Sequence, residues 1–288
     1  MLISKSGMAI IIDGKKLAEE IKEKIKKEVA DLKKKGAVPS LASIIIGNNP
    51  ASKLYVKLKE KACNEVGIYS EKYSLDENTS EEEIIKLIHK LNKNPKINGI
   101  LVQLPFPKCL NQENILEAID PRKDVDGLTS TNLGNLLIGN EFLVPCTPKG
   151  VIRLLESINI EIEGKDVVII NHSNVVGKPL AMMFLNRNAT VSVCHVKTKD
   201  LKKYTSKADI LISGTGVKNL IKEDMVKENS IVIDVGISKE GNKIYGDVDF
   251  ENVKNKVYAI TPVPGGVGPM TIAMLLENTI KAAKIQNN

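Results

Sequence analysis

In the stretch "GNNPASKLYVKLKEK" a tyrosine and a lysine, Tyr55 and Lys59, stand four residues apart. On a helix that spacing puts a phenol and an amine on one face, one turn from each other. Such a pair can hold a flat heterocycle and move a proton. Alone, it more often means a solvated lysine beside a half-buried tyrosine. Asn49 and Pro50 mark the turn ahead of this helix, and Ser52 its beginning. Further on, "GILVQLPFP" places Gln103 and two prolines where a strand ends, the edge at which open parallel sheets keep their ligands. "DPRKDVDGL" gathers Asp120, Asp124 and Asp126 beside a glycine. A loop glutamine and a capped turn are the ordinary meanings of these two segments.

Two further stretches concern backbone rather than side chains. "TPVPGGVGPMT" holds three glycines and three prolines in eleven residues. A rigid loop of this kind leading into a helix N-terminus costs stability unless something needs the close approach. "VVIINHSNVVGKPLA", residues 167–181, runs from an apolar strand into a loop and then a helix, like the first turn of a dinucleotide-binding unit. Asn171 stands where the first glycine of such a turn is expected.

The elements that position these residues follow from periodicity. Leu17, Ile21, Ile25, Val29 and Leu32 mark a first amphipathic helix, and "LASIIIG" reads as a strand. Residues 52–66 read as a helix whose apolar face is Leu54, Leu58, Ala62 and Val66, with Tyr55 and Lys59 off that face and Gly67 ending it. Ser80 and Glu83 form a capping box ahead of Ile84, Leu87, Ile88 and Leu91. The strand "INGILVQLP" follows. Thr147 and Pro148 read as an N-cap and an N1 proline, so a helix starts there, near a domain junction. Beyond it "KDVVIIN", "ATVSVCHV", "ADILISGT", "SIVIDVGI" and "KVYAITPVP" are strands separated by helical or turn segments, the alternation of a parallel sheet. The expected fold class is α/β with two α/β domains. Residues 8–147 form the first, and residues 148–268 form a Rossmann-like, doubly wound second. A last helix, 269–288, with Ile272, Leu275, Leu276 and Ile280 on one face, packs back on the first domain.

Composition narrows the function classes. At 288 residues with 42% apolar content the chain can build two cores. A net charge of +6 is spread over helix faces, a mild pull on anionic ligands. With 3% aromatics, no tryptophan and no nucleic-acid signature, nucleic acid is not an expected partner. No run reaches transmembrane length, so no membrane partner is expected. Cys63, Cys109, Cys146 and Cys194 are far apart without CxxC spacing, as in reduced cytoplasmic proteins. "MLISKSG", residues 1–7, reads as an added or alternative start ahead of "MAIIIDGKKLAEEI".

Together these segments resemble the bifunctional methylenetetrahydrofolate dehydrogenase/methenyltetrahydrofolate cyclohydrolases. "PASKLYVKLKEKACNEVGI", "GILVQLPFP", "DVDGL", "PCTPKG", "VVGKP", "IDVGI" and "PVPGGVGPMT" stand in that family's order, from Ile11 to Thr279. The resemblance implies oxidation of 5,10-methylenetetrahydrofolate to 5,10-methenyltetrahydrofolate and hydrolysis of the product to 10-formyltetrahydrofolate, a one-carbon supply that includes purine biosynthesis. It implies that Lys59 handles protons in the cyclohydrolase step, that Gln103 contacts this lysine, and that Tyr55 lies against the folate ring. Asp126 binds the pterin on the same basis, Ser52 belongs to the substrate site, and Pro264, Gly265 and Gly266 border the folate. A homodimer is implied too, with "SKEGNKIYGDV" a candidate hairpin near its interface. The chemistry is consistent: folate nitrogens stabilise the cation left by hydride loss, so the protein supplies orientation and no metal is needed. Opening the methenyl ring then needs proton transfers, which an amine can serve when desolvation and a cationic substrate lower its pKa.

The same resemblance implies that Asn171, His172, Ser173 and Gly177, with the following helix N-terminus, contact the dinucleotide, and that Ile237 lies near the nicotinamide. Relatives commonly read G-R-S where this chain has Asn171, His172 and Ser173, and a serine where Val196 follows His195. An always-charged arginine is thus replaced by a partly charged histidine. No acidic residue ends "ATVSVCHV", where NAD enzymes hold the ribose hydroxyls, and Lys197 is there instead. His172, Lys178 and Lys197 favour NADP, with NAD open as the alternative. A two-domain dehydrogenase of a shikimate-like acid explains the second domain but not the Tyr55, Lys59, Gln103 and Asp126 set. A silent folate- or nucleotide-binding protein would be expected to lack Lys59 or Asp126. A metal site on Cys194 and His195 is disfavoured, because adjacent strand residues point to opposite faces and His89 and His172 are not at ligand spacing.

Overall fold

The computed structural model describes residues 9–241 and 243–286. Residues 1–7, read above as an added or alternative start, lie outside them. In chain order the strands are β1 (Ile10–Ile11), β2 (Ser40–Ile46), β3 (Tyr69–Leu75), β4 (Gly99–Val102), β5 (Asp166–Ile170), β6 (Thr190–Cys194), β7 (Ile210–Ser213), β8 (Ile231–Asp234), β9 (Ser238–Glu240), β10 (Lys243–Tyr245) and β11 (Ala259–Ile260). The helices are α1 (Gly14–Lys34), α2 (Pro50–Val66), α3 (Glu81–Lys93), α4 (Gln112–Glu117), α5 (Ser130–Leu137), α6 (Cys146–Ser157), α7 (Gly177–Leu185), α8 (Lys202–Thr205), α9 (Phe250–Val253) and α10 (Val267–Gln286). The chain divides into two compact units. One comprises Glu19–Cys146 with residues 272–286, the other residues 9–18 with Thr147–Thr271.

The first unit is built on a three-stranded sheet of order β3-β2-β4, parallel throughout. All residues of β2 and β4 are buried, which is why β4 reads as an apolar run and β2 as one broken only by Ser40 and Ser43. The chain leaves β2 toward β3 and returns to β4 on the other side, so the strand order reverses beside β2, where a ligand crevice is expected. The capping box at Ser80 and Glu83 is present. From α10, the Asn278 amide donates to the carbonyls of Val125 (2.9 Å) and Val144 (3.0 Å), and Lys284 pairs with Glu28 of α1 at 2.6 Å. The last helix therefore packs on this unit, as its apolar face suggested.

The second unit carries a six-stranded parallel sheet, β1-β11-β8-β7-β5-β6. One side of its core is made by Val168, Leu211, Val232 and Ile260 with Val226, Val253 and Val257. Strand order reverses at β5, whose neighbours are β6 and β7. A two-stranded β9–β10 hairpin stands apart from the sheet.

Three details differ from the sequence reading. Residues 8–18 were placed with the first domain, yet Ile10 and Ile11 pair with Ala259 and Ile260 and extend the six-stranded sheet. Two residues of β-branched sequence carry no information about which distant strand they will join. The junction helix begins at Cys146, so Thr147 is not its N-cap; the Thr147 hydroxyl instead meets that of Thr271 at 2.9 Å. In α2 the buried positions are Ser52, Val56, Lys59, Ala62, Cys63 and Val66, whereas Leu54 and Leu58 are 55% and 40% exposed. The face carrying Lys59 is turned inward, and the leucine face, taken above as the apolar one, is turned out.

Candidate functional site

Helix α2 starts two residues before Ser52. Asn49 caps it, its side-chain oxygen accepting from the N–H groups of Ala51 (2.9 Å) and Ser52 (3.1 Å), while Pro50 fills the first turn, where no N–H is needed. The cap fixes where the helix begins. Lys59 is 7% exposed and donates from Nζ to Gln103 Oε1 at 2.9 Å. Gln103 follows β4, its backbone N–H still bonded to Ile44 O of β2 (2.8 Å). Its own amide donates to Leu104 O at 2.7 Å, and the buried Ser52 hydroxyl approaches the same carbonyl at 3.5 Å. With the glutamine oxygen tied to the amine and its nitrogen tied to a carbonyl, the amide orientation is determined. Ser52, Lys59 and Gln103 are thus brought together at the crevice beside β2, with half-buried Tyr55 one turn ahead of Lys59 on α2. The neighbouring Cys63 thiol is pushed up to about 12 by burial and carries no nucleophile's character.

Spacing alone does not sort the three aspartates, of which the resemblance singles out Asp126. Asp120 is held by Arg122 (2.6 Å), whose hydrogen bond keeps its carboxyl below the usual range. Asp124 is buried and accepts from the Thr129 N–H (2.8 Å) and the Asn132 amide (2.9 Å); burial nonetheless pushes its carboxyl up. Both are occupied by structure. Asp126 is half-buried and has no hydrogen-bond partner among the described residues, so its oxygens are left for a ligand. Its turn runs beside β4, with the Ile100 N–H on Lys123 O at 2.7 Å and a parallel bridge between Ile100 and Asp124.

In the other unit the loop after β5 lies at the strand-order reversal. Asn171 Oδ1 accepts from the N–H groups of Ser173 (2.8 Å) and Gly177 (3.0 Å) and from the Ser173 hydroxyl (2.8 Å); its amide donates to Gly214 O at 2.6 Å. The carboxamide is therefore spent on shaping the loop, the work a glycine's conformational freedom does in other dinucleotide turns. At Gly177 a Cβ would lie 1.9 Å from Asn171 O, so only glycine fits at the start of α7. The first N–H groups of this helix are already bonded, that of Gly177 to Asn171 Oδ1 and that of Lys178 to Ser173 O at 3.0 Å, and Pro179 has none; the positive end of the helix dipole is what favours an anion here. His172, Ser173 and Ile237 are exposed. The His172 and His195 ring centroids are 4.8 Å apart, a proximity the sequence reading missed because the two residues sit in loops after different strands. The Lys197 N–H donates to His195 Nδ1 at 3.2 Å, which places that imidazole's proton on Nε2. Next to it is a cavity of about 640 Å³ lined by Lys197, Lys199 and Lys203 together with Thr198 and Asp200. Val196 is 91% exposed. Cys194 is buried while His195 is exposed, and no group of three or more metal-ligating side chains occurs among the described residues. The Gly265 carbonyl accepts from the Lys15 N–H at 2.9 Å, tying the "PGG" loop to the start of α1.

Comparison with known proteins places this geometry. The catalytic-domain model of tetrahydrofolate dehydrogenase/cyclohydrolase matches residues 12–126, and the NAD(P)-binding-domain model of the same name matches residues 145–287. The chain is 58% identical over 275 residues to the bifunctional protein FolD of Methanosarcina barkeri, covering 95% of this chain and 96% of that one. Among solved structures, the bifunctional FolD methylenetetrahydrofolate dehydrogenase/cyclohydrolase of Campylobacter jejuni superimposes with a TM-score of 0.95 at 54% identity, over 96% of this chain and 99% of that one. The Trypanosoma brucei dehydrogenase-cyclohydrolase, complexed with NADP cofactor and inhibitor, does so with a TM-score of 0.95 at 36% identity, over 98% and 99%.

Proposed function

The chain belongs to the tetrahydrofolate dehydrogenase/cyclohydrolase family and is a bifunctional, NADP-dependent methylenetetrahydrofolate dehydrogenase and methenyltetrahydrofolate cyclohydrolase; on that premise we propose how its own residues divide the work. The observation that carries the assignment is the buried Lys59–Gln103 hydrogen bond of 2.9 Å. Lys59 acts in the cyclohydrolase step. Water adds to the methenyl carbon and gives up one proton to the amine; the bond from that carbon to N5 then breaks as the amine returns this proton to N5, and the remaining hydroxyl proton of the adduct leaves to solvent, so that the formyl carbonyl stays on N10. Gln103 holds the amine in place through this exchange. Tyr55 supports the folate ring, Asp126 accepts from the amino-pyrimidine edge of the pterin, and Ser52 keeps the Leu104 carbonyl in position. Pro264, Gly265 and Gly266 contribute folate-contacting backbone.

The dinucleotide fits the loop after β5. Gly177 permits close backbone approach, the positive dipole end of α7 faces the pyrophosphate, and Ser173 and His172 flank it. When bound, NADP supplies the hydride acceptor. The absence of a carboxylate after β6 and the lysines around the cavity beside His195 suit a 2′-phosphate better than a free ribose hydroxyl pair. Ile237 contacts the nicotinamide side. Residues 8–147 with 269–288 act as the folate-binding domain and 148–268 as the dinucleotide domain, apart from the β1 segment noted above. None of the described helices is long and apolar enough to cross a membrane, and the four cysteines are free; a cytoplasmic homodimer supplying formyl groups to purine synthesis is the setting we propose. A spectroscopic assay with methylenetetrahydrofolate and each nicotinamide cofactor in turn tests the reading. Reduction of NADP followed by loss of the methenyl absorbance is expected; reduction of neither cofactor would refute it.

A further inference from the structure

Asp247 is fully buried at the C-terminal edge of the six-stranded sheet, in the "GDV" that follows the β9–β10 hairpin. One of its oxygens, Oδ2, accepts three hydrogen bonds: from the Ser213 hydroxyl (2.7 Å), the Thr215 N–H (2.6 Å) and the Thr215 hydroxyl (2.8 Å). Between those two residues lies Gly214, whose carbonyl receives the Asn171 amide at 2.6 Å. Asn171 in turn gathers the N–H groups of Ser173 and Gly177. A continuous chain of hydrogen bonds therefore runs from Asp247 through the loop after β7 to the loop after β5.

The other side of Asp247 is tied to the loop after β8. Asp234 Oδ1 accepts from the N–H groups of Gly236 (2.9 Å) and Asp247 (3.1 Å), and its Oδ2 from that of Val248 (2.9 Å). Each carboxylate presses on the other segment's glycine. A Cβ at Gly236 would lie 1.9 Å from Asp247 Oδ1, and one at Gly246 would lie 2.0 Å from Asp234 Oδ2. Gly236 immediately precedes Ile237, so the interlock fixes the backbone that presents this side chain.

Stability alone does not account for the arrangement. Asp247 Oδ1 is buried with no hydrogen-bond partner among the described residues, and leaving a buried polar atom unsatisfied is unfavourable. What Asp247 does accomplish is to hold the loop after β7 through its carboxylate, and with it the Gly214 carbonyl that anchors Asn171 of the loop after β5, while its backbone N–H ties the same segment to Asp234 at the end of β8. We propose that Asp247 is a positioning residue for the dinucleotide, holding the loops after β5, β7 and β8 in one hydrogen-bonded cradle. This rests on the reading that NADP binds at this edge. In a chain whose first loop has Asn171 in place of a glycine, the cradle is held by side chains and is correspondingly sensitive to their loss.

The test uses the full-length enzyme and its two activities. Asp247→Ala removes the acceptor of all three bonds, Thr215→Val removes one hydroxyl donor, and Asp247→Asn keeps an acceptor oxygen. Dehydrogenase kcat and KM for NADP are measured together with hydrolysis of methenyltetrahydrofolate in the absence of dinucleotide. Loss of these bonds predicts that KM for NADP rises about tenfold or more in Asp247→Ala and about threefold in Thr215→Val, with Asp247→Asn between wild type and the alanine variant. The hydrolysis rate, assigned to Lys59 in the other unit, stays within about twofold of wild type, because Lys59 and Gln103 share no hydrogen-bond partner with Asp247 or Thr215. An unchanged KM for NADP in both Asp247→Ala and Thr215→Val overturns the proposal. So does a parallel loss of both activities in Asp247→Ala with Thr215→Val unaffected, since that marks a general structural carboxylate. Where Asp247→Ala does not fold, KM in Thr215→Val decides. A wild-type enzyme that fails to reduce NADP would instead remove the underlying reading.

Discussion

Replacing Lys59 with methionine separates proton transfer from binding. The unbranched methionine side chain keeps most of the apolar stem that fills the space inside α2, but the amine that donates to Gln103 Oε1 at 2.9 Å is gone. A positioned acid or base is typically worth about a hundred- to ten-thousand-fold in rate, equivalent to about 2.7–5.4 kcal/mol at about 1.36 kcal/mol per factor of ten. Methenyl hydrolysis in Lys59→Met should fall by that much. The cost to folding should be small. Gln103 loses one partner and keeps its bond to Leu104 O, a loss of about 1–3 kcal/mol if its oxygen finds no water. Against this, a residue that is 7% exposed no longer carries an amine out of water, which offsets part of that loss. Net stability should therefore change by less than about 2 kcal/mol, and folate and NADP should still bind. Decay of the methenyl absorbance, corrected for the uncatalysed reaction, measures the chemistry; calorimetric titration measures the ligands. Turnover within a few-fold of wild type would refute the role given to Lys59, and loss of folate binding in step with turnover would make it a binding residue.

Three other outcomes follow from the same geometry. Asp126→Ala should weaken folate and antifolate binding far more than NADP binding, because this aspartate has no hydrogen-bond partner among the described residues and is proposed to accept from the pterin; equal losses in calorimetry would make it a turn residue. If His172, whose ring lies 4.8 Å from that of His195, donates to the 2′-phosphate, His172→Ala should lower the ratio of kcat/KM for NADP to that for NAD several-fold. An unchanged ratio, or a wild-type ratio that favours NAD, would be contrary to this account. Burial, against three N–H donors, pushes the Asp234 carboxyl up to about 7. Its folded value lies above its unfolded one, so its contribution to stability is fully present below about pH 4 and is lost as pH rises through 7. Unfolding free energy should accordingly decline between about pH 5 and 7, and a rise across that interval in denaturant titrations would contradict the assignment.

Much of the architecture was legible because it depends on neighbours in sequence. The apolar runs of β2, β4, β5, β7 and β8, the Ser80–Glu83 box and the glycine-proline loop before α10 each declare a local geometry. The motifs around Lys59 and Gln103 likewise singled those residues out, and for Asp126 it was the family resemblance that did so. Other features depend on what arrives from elsewhere in the chain. Periodicity shows that α2 has faces; which one is buried was decided by the sheet it packs on, and it chose Lys59 over Leu54 and Leu58. Nothing in "DPRKDVDGL" distinguishes its aspartates until Arg122 takes Asp120 and Thr129 and Asn132 take Asp124, leaving Asp126 open. The pairing of β1 with β11, the meeting of His172 with His195, and the span from Asp247 to Asn171 all join segments far apart in sequence. Local spacing carries torsional and facial preferences over a few residues, whereas the partner of a buried or charged group is chosen only when the packed chain brings distant donors and acceptors within bonding distance.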